Sequence, residues 1–465
     1  MLPCTKRRRE LTGLWVWCMS KPSGGRKVTH IIILVILIVF FVGILIRYGV
    51  SVYNDSDQYI SMHMRREPVY PVFLYLIRSL FEDHWMIAAG VLQTLIVIVF
   101  SYRFILYMSD VTTLGPVGLY MVTAFVLLPY IITPIISSTH VMLSVAIMSE
   151  SIAMPLFLQF FINMHGMLTR HRTVDAISGL VLAVVISLTR SNLVILLIAW
   201  LIAALVVYIP QRKRISLLLA IAAFVCSFAV RDVATKSYNL RFNDRYVGNE
   251  YTKQTALANI FYATDREAGE RIDDPGLQGI FYTLYDDMDA RGWSYRYAGD
   301  SAADRAVYLE EMHDRVKFEV IEFGLRDIIE ATGIHDYIDY NAIAEEYCAQ
   351  LIPILLPACL PIWIPDMLIM GVRGLVRSIS MCNAAGYAAA AVLFAVASCV
   401  MILLFRRDRR STGAWLIALS LLLILGNAFG TAVIIMCISR YMIYGFAVFY
   451  SSLLAGVHEL YRRHG

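Results

Sequence analysis

Residues 28–46 read VTHIIILVILIVFFVGILI, and residues 53–71 read YNDSDQYISMHMRREPVYP. The first stretch is apolar over about 20 residues, the length that an α-helix needs to cross a hydrocarbon layer roughly 30 Å thick. The second stretch places acidic and basic side chains just beyond that apolar run. Charges beside a membrane span are costly unless they face water or a binding site, so they are candidates for function. Together the two stretches predict a transmembrane helix that leads into a functional polar loop.

The composition of the whole chain agrees with this interpretation. Of its 465 residues, 58% are hydrophobic and 16% are charged, and the mean hydropathy is +0.63. Soluble domains usually carry about 25% charged residues, so these values predict a membrane protein with many spans. Residues 231–350 contain 13 Lys and Arg against 24 Asp and Glu, whereas the rest of the chain has 27 against 12. An acidic insert of this kind argues against nucleic acid as a partner.

Basic residues near membrane spans are retained in the cytoplasm, and they orient the predicted spans. Lys and Arg at 6–9, 21, 26 and 27 precede the first apolar run, so residues 1–27 are predicted to be a cytoplasmic segment. We predict ten spans, at residues 28–46, 85–107, 114–133, 151–168, 176–188, 193–208, 215–230, 382–405, 414–437 and 441–461. This count places every basic cluster and both termini inside. The predicted fold class is an all-α polytopic membrane protein with about ten transmembrane helices and an external, mostly helical insert.

The remaining apolar run, residues 351–378, is predicted to lie on the outer membrane surface. Prolines at 353, 357, 361 and 365 each remove a backbone donor and clash one turn back, so they should interrupt a regular helix. A span here would also place the basic cluster 406–410 outside. The predicted segments are cytoplasmic residues 1–27, spans one to seven at 28–230 with an external loop at 48–84, an external acidic insert with an interfacial proline-rich segment at 231–380, and spans eight to ten at 381–465.

This topology gathers unusual polar residues at the external membrane face. They are Asp55, Asp57, Arg65, Arg66, Glu150, Arg190 and Arg440. A carboxylate can deprotonate or orient an acceptor hydroxyl, and arginines can bind a phosphate leaving group through paired hydrogen bonds. The combination suits group transfer from a lipid phosphate. The sequence has no glycine-rich phosphate loop and no HExxH, so motifs for nucleotide hydrolysis and zinc proteolysis are lacking.

The spacing of these residues resembles that of a known superfamily. Asp55-Ser56-x-x-Tyr59, followed by Arg66-x-Pro68-x-Tyr70-Pro71, is similar to the first-loop pattern of the GT-C membrane glycosyltransferases. These enzymes include the protein O-mannosyltransferases and the aminoarabinose lipid A transferase. Three further matches follow in the expected order, at Ser149-Glu150, Leu188-Thr189-Arg190 and Ser439-Arg440-Tyr441.

The resemblance implies an inverting glycosyltransferase of the plasma membrane that uses a polyprenyl-phosphate-linked sugar donor at the extracytoplasmic face. The acceptor would be a glycan, a lipid or a protein. Asp55 matches the catalytic first-loop acid, and Asp57 would be a second acid or a metal ligand, since some members need a divalent ion. The implied donor-phosphate ligands are Arg66, Arg190 and Arg440, and the implied supporting residues are Tyr59, Tyr70, Glu150 and Tyr441. The large external region lies between spans seven and eight rather than at the C-terminus, which leaves the acceptor class open.

Three other interpretations remain at this point. The acids could be solvated loop residues that cap a helix, and the arginines could bind lipid headgroups. An O-antigen-type polymerase or ligase also has about ten spans and a large external loop, although such enzymes rely on external arginine and histidine. A transporter or flippase would place its charges near the midplane and often shows related halves, and this sequence shows no internal repeat.

Overall fold

The computed structural model describes residues 24–136, 140–249 and 252–462. Before the insert lie α1 (Gly24–Tyr48), α2 (Ser56–Ile60), α3 (Val69–Phe81), α4 (Trp85–Val111), α5 (Pro116–Ile136), α6 (Glu150–Arg170), α7 (Thr173–Ser187), α8 (Ile195–Tyr208) and α9 (Arg214–Asn243). The insert forms α10 (Thr252–Tyr262), α11 (Pro275–Ala290), α12 (Ala302–Arg315), α13 (Phe323–Glu330) and α14 (Tyr337–Ile379), and the chain ends with α15 (Ala384–Arg407), α16 (Thr412–Ile434), α17 (Ser439–Met442) and α18 (Tyr444–Arg462). Within these ranges the β-structure is limited to one isolated bridge between Ser51 and Ala146, so the all-helical prediction is confirmed there.

Nine stretches of the described chain are long and apolar enough to cross a membrane. They are Gly25–Tyr48, Val69–Val111, Pro116–Ile136, Glu150–Arg170, Ser191–Tyr208, Arg214–Asn243, Tyr337–Ile379, Ala384–Arg407 and Thr412–Ile434. Eight of them contain or overlap a predicted span. The predicted fifth span corresponds to α7, which has 15 residues and rises only about 23 Å. The predicted tenth corresponds to α18, which is not among the nine. A multi-pass helical architecture is therefore supported, whereas the predicted count of ten is not reproduced.

The central helix of the bundle is α6. In the most apolar stretch of α6, 83% of the residues are buried, against 22% in that of α1. The reason is that α4, α7, α8 and α16 all pack around α6. Helix α18 packs between α5, α15 and α16 despite its polar residues. The N-terminus of α6 carries Glu150, so the best-packed helix of the bundle positions one of the predicted site residues.

Helix α14 corrects the prediction that four prolines interrupt this segment. It is continuous over 43 residues, with prolines at 353, 357, 361 and 365 inside it. Their four-residue spacing places the missing backbone donors along one side of the helix, and the first three prolines are exposed. The opposite side buries Leu351, Leu355 and Cys359 in the core of the insert. Packing of that side outweighs the local cost of proline, which is about 3 kcal/mol per residue.

Both ends of α14 contact the end of the bundle that carries the first loop. At the start of the helix, Arg65 Nε donates to the Tyr337 hydroxyl at 2.8 Å. Near its end, Arg377 Nη1 donates to the Cys437 carbonyl at 2.7 Å. Because both of its ends contact the same end of the bundle, α14 is favoured to lie along that end rather than to cross the membrane. Its length and composition would also allow it to cross a membrane. Its placement at the membrane surface stays a prediction.

The insert packs around its own aromatic core, in which Phe261, Phe281 and Tyr285 are buried. Within it, the wide π-helical turn Val316–Glu322 joins α12 to α13. Such turns carry i→i+5 hydrogen bonds and occur frequently at functional sites. The last residue of this turn, Glu322, contacts Arg65 of the first loop.

We expect the contact between α14 and α16 to be sensitive to volume at Gly371. A Cβ atom at this position would overlap the ring of Phe429, so Gly371→Ala should destabilise the protein by about 1–3 kcal/mol. Gly279→Ala in α11 is the matched control, because a Cβ there meets no atom within 4 Å and alanine favours a helix by about 0.5–1 kcal/mol. Thermal unfolding in detergent measures both variants. A Gly371→Ala protein that unfolds no earlier than Gly279→Ala would contradict this packing.

Candidate functional site

The first loop is fastened to the segment that leads into α6. Ser56, the serine of the DSxxY motif, donates through Oγ to the Ile147 carbonyl at 2.8 Å and accepts from the Tyr53 backbone N–H. The isolated bridge between Ser51 and Ala146 adds a second attachment beside it. These contacts hold Asp55 close to Glu150, nearly a hundred residues further along the chain.

Asp55 lies between two arginines. Arg66 Nη2 donates to Asp55 Oδ1 at 2.8 Å, and Arg440 Nη2 donates to Asp55 Oδ2 at 3.3 Å. Partial burial raises the pKa of Asp55, but the two guanidinium groups outweigh burial and hold the pKa below its ordinary value. The carboxylate is therefore ionised at neutral pH and accepts hydrogen bonds on both oxygens.

Glu150 is the second carboxylate of the site and is fully buried. Arg190 Nη1 lies 2.7 Å from Glu150 Oε1, and Arg440 Nε lies 3.2 Å from the same oxygen. Ser149 Oγ donates to the other oxygen at 3.2 Å. Arg440 thus bridges both carboxylates, and the charged side chains form one continuous series from Arg66 through Asp55, Arg440 and Glu150 to Arg190.

Aromatic side chains surround this series. The Tyr59 hydroxyl lies 3.1 Å from Ser149 Oγ, and the Arg66 guanidinium lies 4.7 Å from the centre of the Tyr59 ring. Arg190 lies at the same distance from the Tyr441 ring. Tyr70 is fully buried one layer behind, in an edge contact with Tyr59 at 5.0 Å. The structure therefore brings Tyr59 and Tyr441 to the arginines, and Tyr70 supports Tyr59.

Asp57 is the one predicted site residue that the structure does not bring to the cluster. Its side chain is exposed in the first turn of α2, and within the described part of the chain it forms no ion pair with the arginines of the site. Among the described residues, no group of three or more His, Cys, Asp or Glu side chains is arranged to hold a metal ion. The structure therefore assigns no ligands to the divalent ion that the resemblance leaves open.

The insert adds charged residues that the sequence patterns did not single out. Glu322 Oε1 lies 2.5 Å from Arg65 Nη2, which attaches the π-helical turn to the first loop. Desolvation raises the pKa of Asp314, and Asp55 acts in the same direction, against Lys317 and Arg440. These residues are more than 240 positions from Asp55 and lie in an acidic stretch without a motif, so only tertiary contacts reveal them.

The electrostatic environment of the site is positive. Burial and then the adjacent Arg65 and Arg66 lower the pKa of His63 to about 4, so this imidazole stays neutral at physiological pH. Arginines with aromatic rings beneath them retain N–H donors beyond those that the carboxylates use, since each guanidinium carries five. The arrangement can therefore bind an anion and offer a carboxylate to a hydroxyl group next to it.

Comparisons with known protein families, with curated proteins and with solved structures found no match to this chain.

Proposed function

We propose that this protein is a membrane glycosyltransferase that transfers a sugar from a polyprenyl-phosphate-linked donor to a hydroxyl group of an acceptor. The observation that carries the proposal is the unbroken series Arg66, Asp55, Arg440, Glu150 and Arg190 at one end of a bundle of apolar helices. A lipid-linked phosphate donor needs both an apolar surface for its chain and cations for its phosphate, and this end of the bundle offers the two side by side.

The arginines would stabilise the phosphate that leaves when the glycosidic bond breaks. The phosphodiester of the donor carries one negative charge, and a second develops on the leaving oxygen as the glycosidic bond lengthens, so preorganised guanidinium groups favour that state over the ground state. Glu150 keeps Arg190 and Arg440 in fixed orientations, so they need not reorganise during the reaction. Glu150 itself is buried and is assigned a positioning role.

Asp55 would act on the acceptor hydroxyl. Its pKa lies below the ordinary value, which makes it a weak base. A weak base suits a reaction in which the carboxylate orients the hydroxyl and takes its proton late, after the bond to the leaving phosphate has lengthened. Attack from the side opposite to the phosphate gives inversion at the anomeric carbon.

The test is to incubate the purified protein with a panel of polyprenyl-phosphate sugars and acceptor extracts. We expect one donor to be consumed, with release of free polyprenyl phosphate detected by mass spectrometry. Transfer of a single sugar supports the proposal, whereas transfer of an oligosaccharide block would show that the protein acts as a ligase instead. A folded protein that consumes no lipid-linked sugar contradicts it.

A further inference from the structure

A cavity of about 370 Å³ opens at the end of the bundle opposite the candidate site. The site lies beyond the C-terminal end of α16, whereas the cavity lies at the start of that helix. Its walls come from the turn between α4 and α5, the turn between α15 and α16, and the last turns of α18. Its polar lining consists of Thr112, Thr113, Arg410, Thr412, Glu459 and Arg462. The volume falls in the range of ligand sites, roughly 300–1,000 Å³.

Two residues of α18 hold the two turns in place. His458 Nε2 lies 3.1 Å from the Thr113 carbonyl, to which it donates. Glu459 accepts from the Ser411 hydroxyl at 2.9 Å and from the Gly413 backbone N–H at 2.7 Å. The cavity is therefore built by contacts between three segments, and Glu459 uses both of its oxygens to cap the start of α16.

The two arginines of the cavity differ from Glu459 in this respect. Arg410 and Arg462 are both exposed, and among the described residues neither guanidinium forms an ion pair or a hydrogen bond. The backbone beside Arg410 is nevertheless fixed. Its N–H donates to Asp408 Oδ1 at 2.8 Å, and the Arg409 carbonyl accepts from Trp415 Nε1 at 3.0 Å. The cavity thus has a built frame and two cations whose donors are available to a ligand.

The charge around the cavity stays positive when the carboxylates of its walls are counted. Residues 110–115, 406–413 and 458–462 contain three acidic side chains, Asp110, Asp408 and Glu459. The same segments contain five arginines, at 406, 407, 409, 410 and 462, so five positive charges against three negative ones leave +2. A ligand of this cavity is therefore expected to be an anion.

Apolar side chains next to the lining residues are exposed on α5 and α18. Val117 in the first turn of α5 is 73% exposed, and Val457 and Tyr461 of α18 are 44% and 78% exposed. On a bundle of apolar helices such side chains contact lipid, and tyrosine is typical of the level of the headgroups. An anion that also carries acyl chains fits both the charge of the cavity and its apolar surroundings.

We propose that this cavity binds the headgroup of an anionic phospholipid, with Arg410 and Arg462 at the phosphate. A guanidinium presents paired N–H donors that match two phosphate oxygens. In the predicted topology this end of the bundle faces the cytoplasm, and the cytoplasmic leaflet is the one that carries anionic lipids. The proposal is independent of the proposed function, because the cavity and the candidate site lie at opposite ends of the bundle.

The test measures binding of phosphatidylglycerol to the whole protein in detergent by native mass spectrometry, with phosphatidylcholine and inorganic phosphate as comparison ligands. We expect Arg410→Gln and Arg462→Gln each to raise the dissociation constant for phosphatidylglycerol about 5-fold, the usual contribution of one basic residue at an anionic membrane surface. Arg214→Gln is the matched control and should bind as the wild type does. Arg214 is exposed at the same end of the bundle, at the start of α9, and does not line the cavity.

Thermal unfolding in detergent provides a second measurement. Without added lipid, the variant with both substitutions should unfold at the temperature of the wild type, because the two side chains are exposed and unpaired in the described structure. Phosphatidylglycerol should raise the unfolding temperature of the wild type, since a ligand that binds only the folded state stabilises it. The increase should be smaller for the double variant.

The comparison ligands identify what the cavity recognises. Tighter binding of phosphatidylglycerol than of phosphatidylcholine, weakened by both arginine substitutions and unchanged by Arg214→Gln, supports the proposal. Equal binding of phosphatidylglycerol by the wild type and the double variant would overturn it. Binding of inorganic phosphate without a preference for phosphatidylglycerol over phosphatidylcholine would also overturn it, by assigning the cavity to a soluble anion.

Discussion

Replacing Asp55 by asparagine should lower the rate of sugar transfer about 100- to 10,000-fold, the range for removal of a general base. Asparagine keeps the shape of the side chain but takes up no proton from the acceptor hydroxyl. The affinity for the lipid phosphate should be unchanged or tighter, because the carboxylate that engages Arg66 and Arg440 is gone. Single-turnover transfer and equilibrium binding of undecaprenyl phosphate measure the two effects separately.

Asp57→Asn is the matched control for Asp55→Asn. The two acids are two residues apart, yet Asp57 is exposed and lies outside the charged series. We expect this variant to transfer sugar within a few-fold of the wild type. Equal losses in both variants would restore Asp57 as a second catalytic acid. A fully active Asp55→Asn enzyme would instead remove Asp55 from the chemistry.

Replacing Glu150 by glutamine should lower the free energy of unfolding by about 3–5 kcal/mol, the usual cost of removing one partner from a buried ion pair. The change leaves Arg190 and Arg440 beside a neutral amide in a fully buried position. Unfolding midpoints in detergent, followed by circular dichroism, measure the loss. The same variant should also lose transfer activity, because Arg190 loses its carboxylate partner and Arg440 keeps only its contact with Asp55, so both arginines are held less firmly at the donor.

Two further variants test this explanation. Glu319→Gln breaks an exposed ion pair with Arg291 at 3.0 Å, and such pairs contribute about 0–1 kcal/mol, so it should be nearly neutral. Glu150→Gln combined with Arg190→Gln should be less destabilised than the sum of the single changes, because the double change removes both charges of one pair. A Glu150→Gln protein as stable as Glu319→Gln would show that the buried pair is not needed for folding.

Apolar runs largely determine which parts of this chain form long helices. Eight predicted spans coincide with described helices that are long and apolar enough to cross a membrane. A run of about 20 apolar residues has few other stable arrangements. The proline-rich segment shows the limit of local rules. Its prolines predict an interruption, but the continuous α14 packs its opposite face into the insert.

The site residues show a similar division. The positions of Asp55, Glu150, Arg190 and Arg440 relative to the predicted spans indicate that they share one membrane face. Consecutive spans run in opposite directions, so the number of spans between two loops determines whether the loops lie on the same side. These positions do not reveal that Arg440 contacts both carboxylates or that Asp57 lies apart from them. Asp55 and Asp57 are the same residue type in the same loop. Only the folded structure shows that Arg66 and Arg440 contact Asp55, whereas Asp57 is exposed.

The sequence by itself determined that this chain is helical and rich in apolar helices, and it identified a charged first loop with matching charges at other helix ends. Hydropathy and charge are properties of individual residues, so they can be read directly from the chain. Only the tertiary structure decided which of those charges pair, and only it brought Glu322 of the insert to Arg65 of the first loop. The pairings of Arg440 with Asp55 and of Arg65 with Glu322 join residues more than two hundred positions apart, and the local pattern around Glu322 contains no trace of its partner.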